Sequence, residues 1–327
     1  MTVKESVLNV IAESGENYVS GAQLADTIGV SRNAVWKAVK CLESEGFVID
    51  SASSKGYRIS PENNKLCKEF ISAELTTSYI GKNIIVLDET DSTNNYAKKL
   101  ASTGAENGTA VIADHQISGK GRLGRKFVSP SGKGLYVSII IRPKWEIEAA
   151  QLITACTACA ASEAVEKVCG HEADIKWVND LYMNGKKICG ILTEASISLE
   201  TKSLDYAIIG IGINVLSAKD CLDSELLSVA SSIEDEAKVK ISRNKLCSAV
   251  LNELEIYLND MESRNFLGFY RAHEILIGNE ITANINGAQI SGKAVGIDDN
   301  ACLIMELPDG TRKNINSGEA SLCRIKK

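Results

Sequence analysis

The chain has 327 residues, 44% hydrophobic and 24% charged, a composition that excludes intrinsic disorder and supplies enough chain for two to three domains. Thirty-six Lys and Arg against 42 Asp and Glu leave a net charge of -6, so any nucleic-acid contact must come from a local basic patch. Three histidines exclude a His-rich metal centre, and the ten cysteines are scattered singly rather than in a disulfide framework. They read as buried, reduced thiols of a cytoplasmic protein, Cys41 in KAVKCLE and Cys189 in KKICGIL among them. Cys156-x-x-Cys159 lies in an Ala-rich run and reads as helix packing. Charges interrupt the apolar stretches of MTVKESVLNVIAESGE, which is therefore no secretion signal, and no run approaches the ~18 apolar residues of a membrane span.

Residues 1–62 open with Val3, Val7, Val10 and Ile11 at helical spacing. Ser20 caps a second helix, GAQLADTI, Gly29 supplies a positive-φ turn, and Ser31 caps a third, RNAVWKAVKCLESEG. Val35, Val39 and Leu42 form the apolar face of that third helix, which closes at Gly46. Two short strands, FVIDS and YRIS, complete a winged helix-turn-helix. Between Arg32 and Leu42 stand three cations and no anion, so Ser31, Arg32, Asn33, Trp36, Lys37 and Lys40 (helix-turn-helix about 21–40) form the expected DNA-binding surface. A small bundle that only docks onto the rest of the protein is the alternative.

From 66 to 271 the pattern is mixed. A strand, IIVLDET, meets a helix beginning near Thr93; a strand, GTAVIADHQ, a glycine-rich basic loop and a strand, LYVSIIIRP, follow. A long helix over 146–169 precedes strands IKWV, LYM, KKICGILTEAS and YAIIGIGINV, with Asn184-Gly185 as a hairpin turn. Short turns between neighbouring strands predict a mixed, largely antiparallel sheet, hence α+β rather than a doubly wound fold. In 272–327, alternation and the turns Asn286-Gly287, Asp299-Asn300 and Asp309-Gly310 predict a small β-barrel.

Gly119-x-Gly121-x-x-Gly124 formally matches a dinucleotide fingerprint, but a strand rather than a helix follows it and the acidic residue expected about 20 positions on is absent. Lys120, Arg122, Arg125 and Lys126 interleaved with glycines instead suit a polyanion, against the alternative of a solvated surface loop. In the hairpin about Asn184-Gly185, residue 183 should pair with 186, 182 with 187 and 180 with 189. Asp180 and Tyr182 then share a face with Lys187 and Cys189, and Asp180 is a diagonal neighbour of Lys187 at roughly 7–8 Å. The lysine can neutralise a phosphate or carboxylate and the aspartate can hold a magnesium water or the lysine itself; a plain cross-strand salt bridge is the alternative. The run Glu89–Asn95 places polar side chains where a strand enters a helix, suited to helix capping and small polar ligands, and Gly210 and Gly212 mark close approach of a backbone or ligand.

Taken together and in order, DSTN, HQISGKGRLGRK, KWVNDLYMNGKKICGIL and GIGIN resemble the biotin protein ligases. With a winged helix in front and a small barrel behind, the whole chain is similar to the bifunctional ligase–repressors of that family. The resemblance implies three units, 1–62 DNA-binding, 66–271 catalytic and 272–327 an SH3-like barrel. It implies a ligase that joins biotin to ATP with Mg2+, forms biotinyl-5′-AMP and passes biotin to a lysine of a biotin carboxyl carrier protein. By the same resemblance, Ser92, Thr93, Asn94, Gln116, Lys120, Gly121, Arg122 and Lys187 contact biotin, and Lys120, Arg122, Arg125, Phe127, Asn179 and Asn214 contact the adenylate. Lys187, Arg122 and Asp180 carry catalysis, Asp180 also as a magnesium ligand. Biotinyl-5′-AMP is also implied as corepressor, favouring a homodimer that binds a palindromic operator. Three positions depart from the family pattern: Lys120 stands for an arginine, Val178 for a proline and Phe127 for a tryptophan. A lipoate or octanoate ligase, and a catalytically silent biotin-sensing repressor, are the competing readings.

Overall fold

The computed structural model describes residues 2–142, 145, 149–198, 203–285 and 287–323. Three helices and a hairpin open the chain: α1 (Val3–Glu13), α2 (Gly21–Ile28), α3 (Arg32–Ser44), β1 (Ile49–Ala52) and β2 (Gly56–Ile59). Thr2, Ser20 and Ser31 each accept a hydrogen bond from the backbone N–H three residues on, which satisfies helix donors that would otherwise lack partners. Gly29 ends α2 at φ 75°, a conformation with no Cβ penalty for glycine alone. Val7, Ile11, Leu24, Val35, Leu42 and Phe47 close a core of their own.

The middle of the chain runs α4 (Lys68–Ala73), β3 (Ile84–Thr90), α5 (Thr93–Ser102), β4 (Ala110–Gln116), β5 (Gly134–Ile141), α6 (Ala149–Cys169), β6 (Asp174–Lys176), β7 (Asp180–Met183), β8 (Lys186–Ser198), β9 (Ser203–Asn214), α7 (Ser224–Val229), α8 (Ile233–Ala237), α9 (Arg243–Asn259) and α10 (Phe266–His273). The long helix begins among the described residues at Ala149; its expected first turn, 146–148, lies outside them. Seven strands form one sheet in the order β3-β4-β5-β9-β8-β7-β6. Only β3 and β4 are parallel, the connection between them being α5; every other neighbouring pair is antiparallel.

Period-2 alternation divides the two faces of this sheet. Val137, Ile139, Ile209, Ile211 and Ile213 turn towards α6 and α9, where Ile153, Val250 and Leu254 fill the main core. Ser138, Gly210 and Gly212 therefore fall on the opposite face, which α5 covers only in part, its Ala97 and Ala101 packing with Val111, Ile140 and Ile208 of the sheet. The IIGIGIN pattern thus builds core on one side and a small-residue floor on the other. Cys156 and Cys159 lie in α6 as buried free thiols, as expected for helix packing. Cys41, by contrast, is exposed on α3: its neighbours Val39 and Leu42 take the core-facing positions.

The C-terminal strands are β10 (Glu280–Ile285), β11 (Ala288–Ile297), β12 (Leu303–Glu306), β13 (Arg312–Ile315) and β14 (Glu319–Leu322), paired in the order β13-β12-β11-β10-β14. The expected barrel is an open antiparallel sheet, because the two outermost strands, four residues each, form no ladder with one another among the described residues. Of its expected turns, Asn286 lies outside the described residues. Trp177 Nε1 and Gln151 Nε2 both donate to Ala301 O, at 3.0 and 2.8 Å, tying this sheet to the central one. Among the described residues, no helix is long and apolar enough to cross a membrane.

Candidate active site

The site lies over the small-residue floor. At its inner end Gln116, the last residue of β4, is buried, its Oε1 accepting from Thr93 N at 2.9 Å and Thr93 Oγ1 at 3.1 Å while its Nε2 donates to Ser129 Oγ at 2.8 Å. Asn94 sits under Gly210, where a Cβ would fall 2.2 Å from Asn94 Oδ1. Its Nδ2 donates to Glu194 Oε2 at 2.7 Å, and Lys98 pairs with the same carboxylate. Burial alone would raise the Glu194 pKa, but the bonds from Lys98 and Asn94 outweigh it and hold the carboxylate below its ordinary range. Ser92 is the N-cap of α5 yet makes no capping hydrogen bond through its side chain. The resemblance places it against biotin, and it lines the inner cavity.

The basic loop is ordered as a tight hairpin. Lys120 bridges Lys126, Gly121 N donates to Arg125 O at 2.7 Å, and a short 3-10 turn, Arg122–Gly124, closes it. Arg122 Nη1 donates to Asn179 Oδ1 at 2.9 Å, and Asn179 Nδ2 in turn donates to Ile191 O at 2.9 Å. Asn179 is therefore a brace that aims the Arg122 guanidinium across the cavity. Lys120 Nζ donates to Asn95 Oδ1 at 2.5 Å, and Arg125 reaches Glu319 of the C-terminal sheet at 2.6 Å. The Phe127 ring lies on Gly212, where a Cβ would stand 2.7 Å from its Cε1. Both floor glycines are thus explained by close approach of a side chain.

The β7–β8 hairpin corrects the expected register. Pairs 183:186 and 182:187 form as expected, but an irregularity follows, so Leu181 opposes Cys189 and Asp180 opposes Gly190. The extra residue is Ile188, which is fully buried. Cys189 consequently enters the core rather than the site face, and Gly190 takes its place beside the cavity. Lys187 Nζ lies 2.7 Å from Asp180 Oδ1 without hydrogen-bond alignment, leaving that buried oxygen ion-paired but with no directed donor. The peptide between Trp177 and Val178 is cis.

Two cavities share Gly121, Arg122, Phe127, Asn179 and Lys187. The inner one, about 50 Å³, is lined by Ser92, Thr93, Asn94, Gln116, Lys120 and the floor glycines. The outer one, about 380 Å³, is lined by Arg125, Lys126, Lys176, Asp180, Asn214 and Glu319. The structure thus brings every residue expected at the ligand site to one continuous depression. Sequence reasoning missed Ser138, whose hydroxyl lies 2.8 Å from Thr93 Oγ1 and 2.6 Å from Asn94 Oδ1, Lys98, one turn on from Asn94 in α5, and Glu194 and Glu319, which arrive from β8 and β14. No sequence motif marks them. Among the described residues no three His, Cys, Asp or Glu cluster as a metal cage; a cation here would rest on Asp180, whose under-satisfied oxygen suits one that arrives with phosphates.

On α3, Arg32, Asn33, Trp36, Lys37 and Lys40 form an exposed stripe, with Trp36 50% accessible, and Ser31 is committed as the cap of the helix. Lys40 is paired with Glu43 at 2.6 Å, an anion just beyond the cationic stretch.

Residues 86–214 match the Biotin/lipoate A/B protein ligase family, residues 4–58 an HTH domain, and residues 276–323 the Biotin protein ligase C terminal domain. Fold and site together define a protein ligase of the biotin/lipoate class carried behind a helix-turn-helix. The chain is 33% identical over 315 residues to a Bacillus spizizenii protein named bifunctional ligase/repressor BirA, covering 95% of this chain and 96% of that one. An Escherichia coli protein of the same name is 30% identical over 324 residues, 98% and 97% of the two chains. The structure of the biotin protein ligase from Aquifex aeolicus in complex with biotin and ATP aligns with a TM-score of 0.64 at 32% identity, covering 74% of this chain and 99% of that one. The chain belongs to the family of bifunctional ligase/repressors of the BirA type.

Proposed function

We propose that this protein activates biotin with ATP, transfers it to a lysine of a biotin carboxyl carrier protein, and represses transcription when it holds biotinyl-5′-AMP. The observation that carries the ligase reading is Lys187, the ammonium that stands on the wall of both cavities and is paired with Asp180 at 2.7 Å. A carboxylate in the inner cavity and an α-phosphate in the outer one meet at this charge, which offsets the negative charge that develops between them. Ser92, Thr93, Asn94 and Gln116 surround the ureido ring, with the Gly121 backbone above it. Lys120, Arg122 and Arg125 close over the phosphate, Arg122 being held in place by Asn179. Phe127 and Asn214 meet the adenine.

Mg2+ bound with the nucleotide offsets phosphate charge, and Asp180 is the carboxylate that would hold it. Once the adenylate has formed, the same carboxylate faces the carrier lysine and orients its neutral ε-amine towards the carbonyl of the mixed anhydride, from which AMP departs as the amide bond forms. Phe127 on Gly212 and the small inner cavity are features of a site that opens to admit a bicyclic ligand, so ligand binding and loop rearrangement are coupled.

Residues 1–62 bind a palindromic operator through α3, 66–271 carry out ligation in the cytoplasm, and 272–327 form a C-terminal module that supports the site. Biotinyl-5′-AMP acts as corepressor by ordering the loops and favouring a twofold dimer, whose paired helices match paired half-sites.

Native mass spectrometry after incubation with MgATP and either biotin or lipoate tests the proposal. A retained biotinyl-adenylate with pyrophosphate released, a bare lipoate sample and a shift to dimer are expected. A lipoyl-adenylate would overturn the choice of substrate, and bound biotin without adenylate would make the chain a silent sensor.

A further inference from the structure

Lys176 contacts neither biotin nor the adenylate in the proposed reaction, and its setting is unusual. It ends β6 directly opposite Asp180 on β7, so that Lys176, Asp180, Tyr182 and Lys187 share the face that looks into the outer cavity. Its ammonium stands 5.4 Å from the centre of the Tyr182 ring. Lys187 is paired with Asp180 and Arg125 with Glu319, whereas Lys176 forms no ion pair among the described residues. Burial lowers its pKa, Asp180 pulls it back up and Lys187 pushes it down again. A partly desolvated ammonium on a cavity wall, whose facing carboxylate Asp180 is already paired with Lys187, is expensive unless a further anion arrives.

Position says which anion. Lys187 lines both cavities, and Lys176 lines the outer one only. If the ligase reading holds, a carboxylate oxygen approaches the α-phosphorus from the inner cavity and forms the new O–P bond. The bond from that phosphorus to the oxygen bridging the β-phosphate breaks, and its electron pair departs on pyrophosphate. Displacement at phosphorus is in line, so the leaving oxygen lies on the side away from the nucleophile. That side is the outer cavity, where Arg122, Arg125, Lys126, Lys176 and Lys187 outnumber the lining carboxylates Asp180 and Glu319. We infer that Lys176 binds the β- and γ-phosphates of the nucleotide and the pyrophosphate they become.

Calorimetry of magnesium pyrophosphate binding to the full chain tests this, with K176A, K176Q and K176R. Loss of one charge-assisted contact is expected to weaken binding roughly 10- to 100-fold in K176A and K176Q. K176R, which keeps the charge, is expected to retain most of it. Unchanged affinity in K176Q, or no pyrophosphate binding by the wild-type protein, overturns the inference. Carrier biotinylation from synthetic biotinyl-5′-AMP, which contains no leaving phosphates, is expected to proceed at the wild-type rate in K176Q. Equal losses in both assays would show general damage to the site, and a loss confined to the second would assign Lys176 to the carrier; either result overturns it. A wild-type chain that binds pyrophosphate yet releases none from ATP in response to biotin would defeat the ligase reading and leave this anion site standing.

Discussion

Lys187 and Asp180 meet at 2.7 Å as diagonal neighbours across the hairpin, and Ile188, an extra residue between two ladder pairs, decides what stands opposite Asp180. A regular ladder would set Cys189 against Asp180 and put a thiol on the site face. The irregularity sends Cys189 into the core and leaves Gly190 there, whose absent side chain gives the Lys187 ammonium its space: a Cβ on Gly190 would lie 3.3 Å from Lys187 Nζ. Bulges beside functional sites re-aim side chains in this way.

Lys187→Ala removes the charge common to the two cavities. Biotin-dependent pyrophosphate release is expected to fall by about 10²–10³ while the fold persists, since loss of one preorganised stabilising group is of that order. Release near the wild-type rate would remove Lys187 from the chemistry.

The two floor glycines should separate the halves of the ligand. A Cβ at Gly210 meets Asn94 Oδ1 and one at Gly212 meets the Phe127 ring. Gly210→Ala is therefore expected to weaken biotin more than ATP, and Gly212→Ala the reverse. Paired titrations of each ligand against each variant decide the matter; identical effects of both substitutions would show that the floor does not divide.

Arg243 is 2% exposed, pairs with Asp114 at 2.7 Å and donates to Asn64 Oδ1 at 2.7 Å and Gly134 O at 3.0 Å. Asn64 lies between the helix-turn-helix and the central sheet, so this cation fastens that connection to β4 and β5. Asp114→Ala leaves the guanidinium buried without its counter-charge and is expected to destabilise the protein by about 3–5 kcal/mol. Urea unfolding measures it; a change below about 1 kcal/mol would mean that Asn64 and the carbonyls suffice alone.

Glu274 sits between α10 and β10, 7% exposed, with Oε2 unpaired among the described residues. Burial pushes its carboxyl up from 4.5 to about 8, against the pull of the Leu276 and Trp177 N–H groups and of Lys176. Because the native state holds this proton where the unfolded chain has lost it, wild-type stability is expected to fall as pH rises from about 4.5 to about 8 and then to level off. Glu274→Gln should lack that component, so unfolding midpoints of the two proteins should diverge across this window. Parallel curves would place the group's titration elsewhere.

Lys37→Ala, on the exposed face of α3, is expected to lower the slope of log affinity against log salt by about 0.9 for operator DNA. Lys40→Ala should change it less, because Glu43 already holds that ammonium at 2.6 Å. Fluorescence anisotropy over a salt series distinguishes the two; equal slopes for all three proteins would show that α3 does not meet phosphates.

What the amino-acid sequence determines here is whatever depends on neighbours along the chain. Ser20, Gly29 and Ser31 set the ends of helices because capping and positive φ act within three residues. IIGIGIN assigns core and floor because a strand alternates with a period of two, and Asn184-Gly185 makes the expected turn. The basic loop and the KWVNDLYMNGKKICGIL segment are legible as a ligand site because their charges and glycines are contiguous. The tertiary structure alone decides what depends on distant packing. It inserts Ile188 into the core and so turns Cys189 away from Asp180. It also leaves the C-terminal sheet open. Ser138, Glu194 and Glu319 reach the site from strands far apart in sequence, by sheet pairing and sheet-to-sheet contact that no local spacing records.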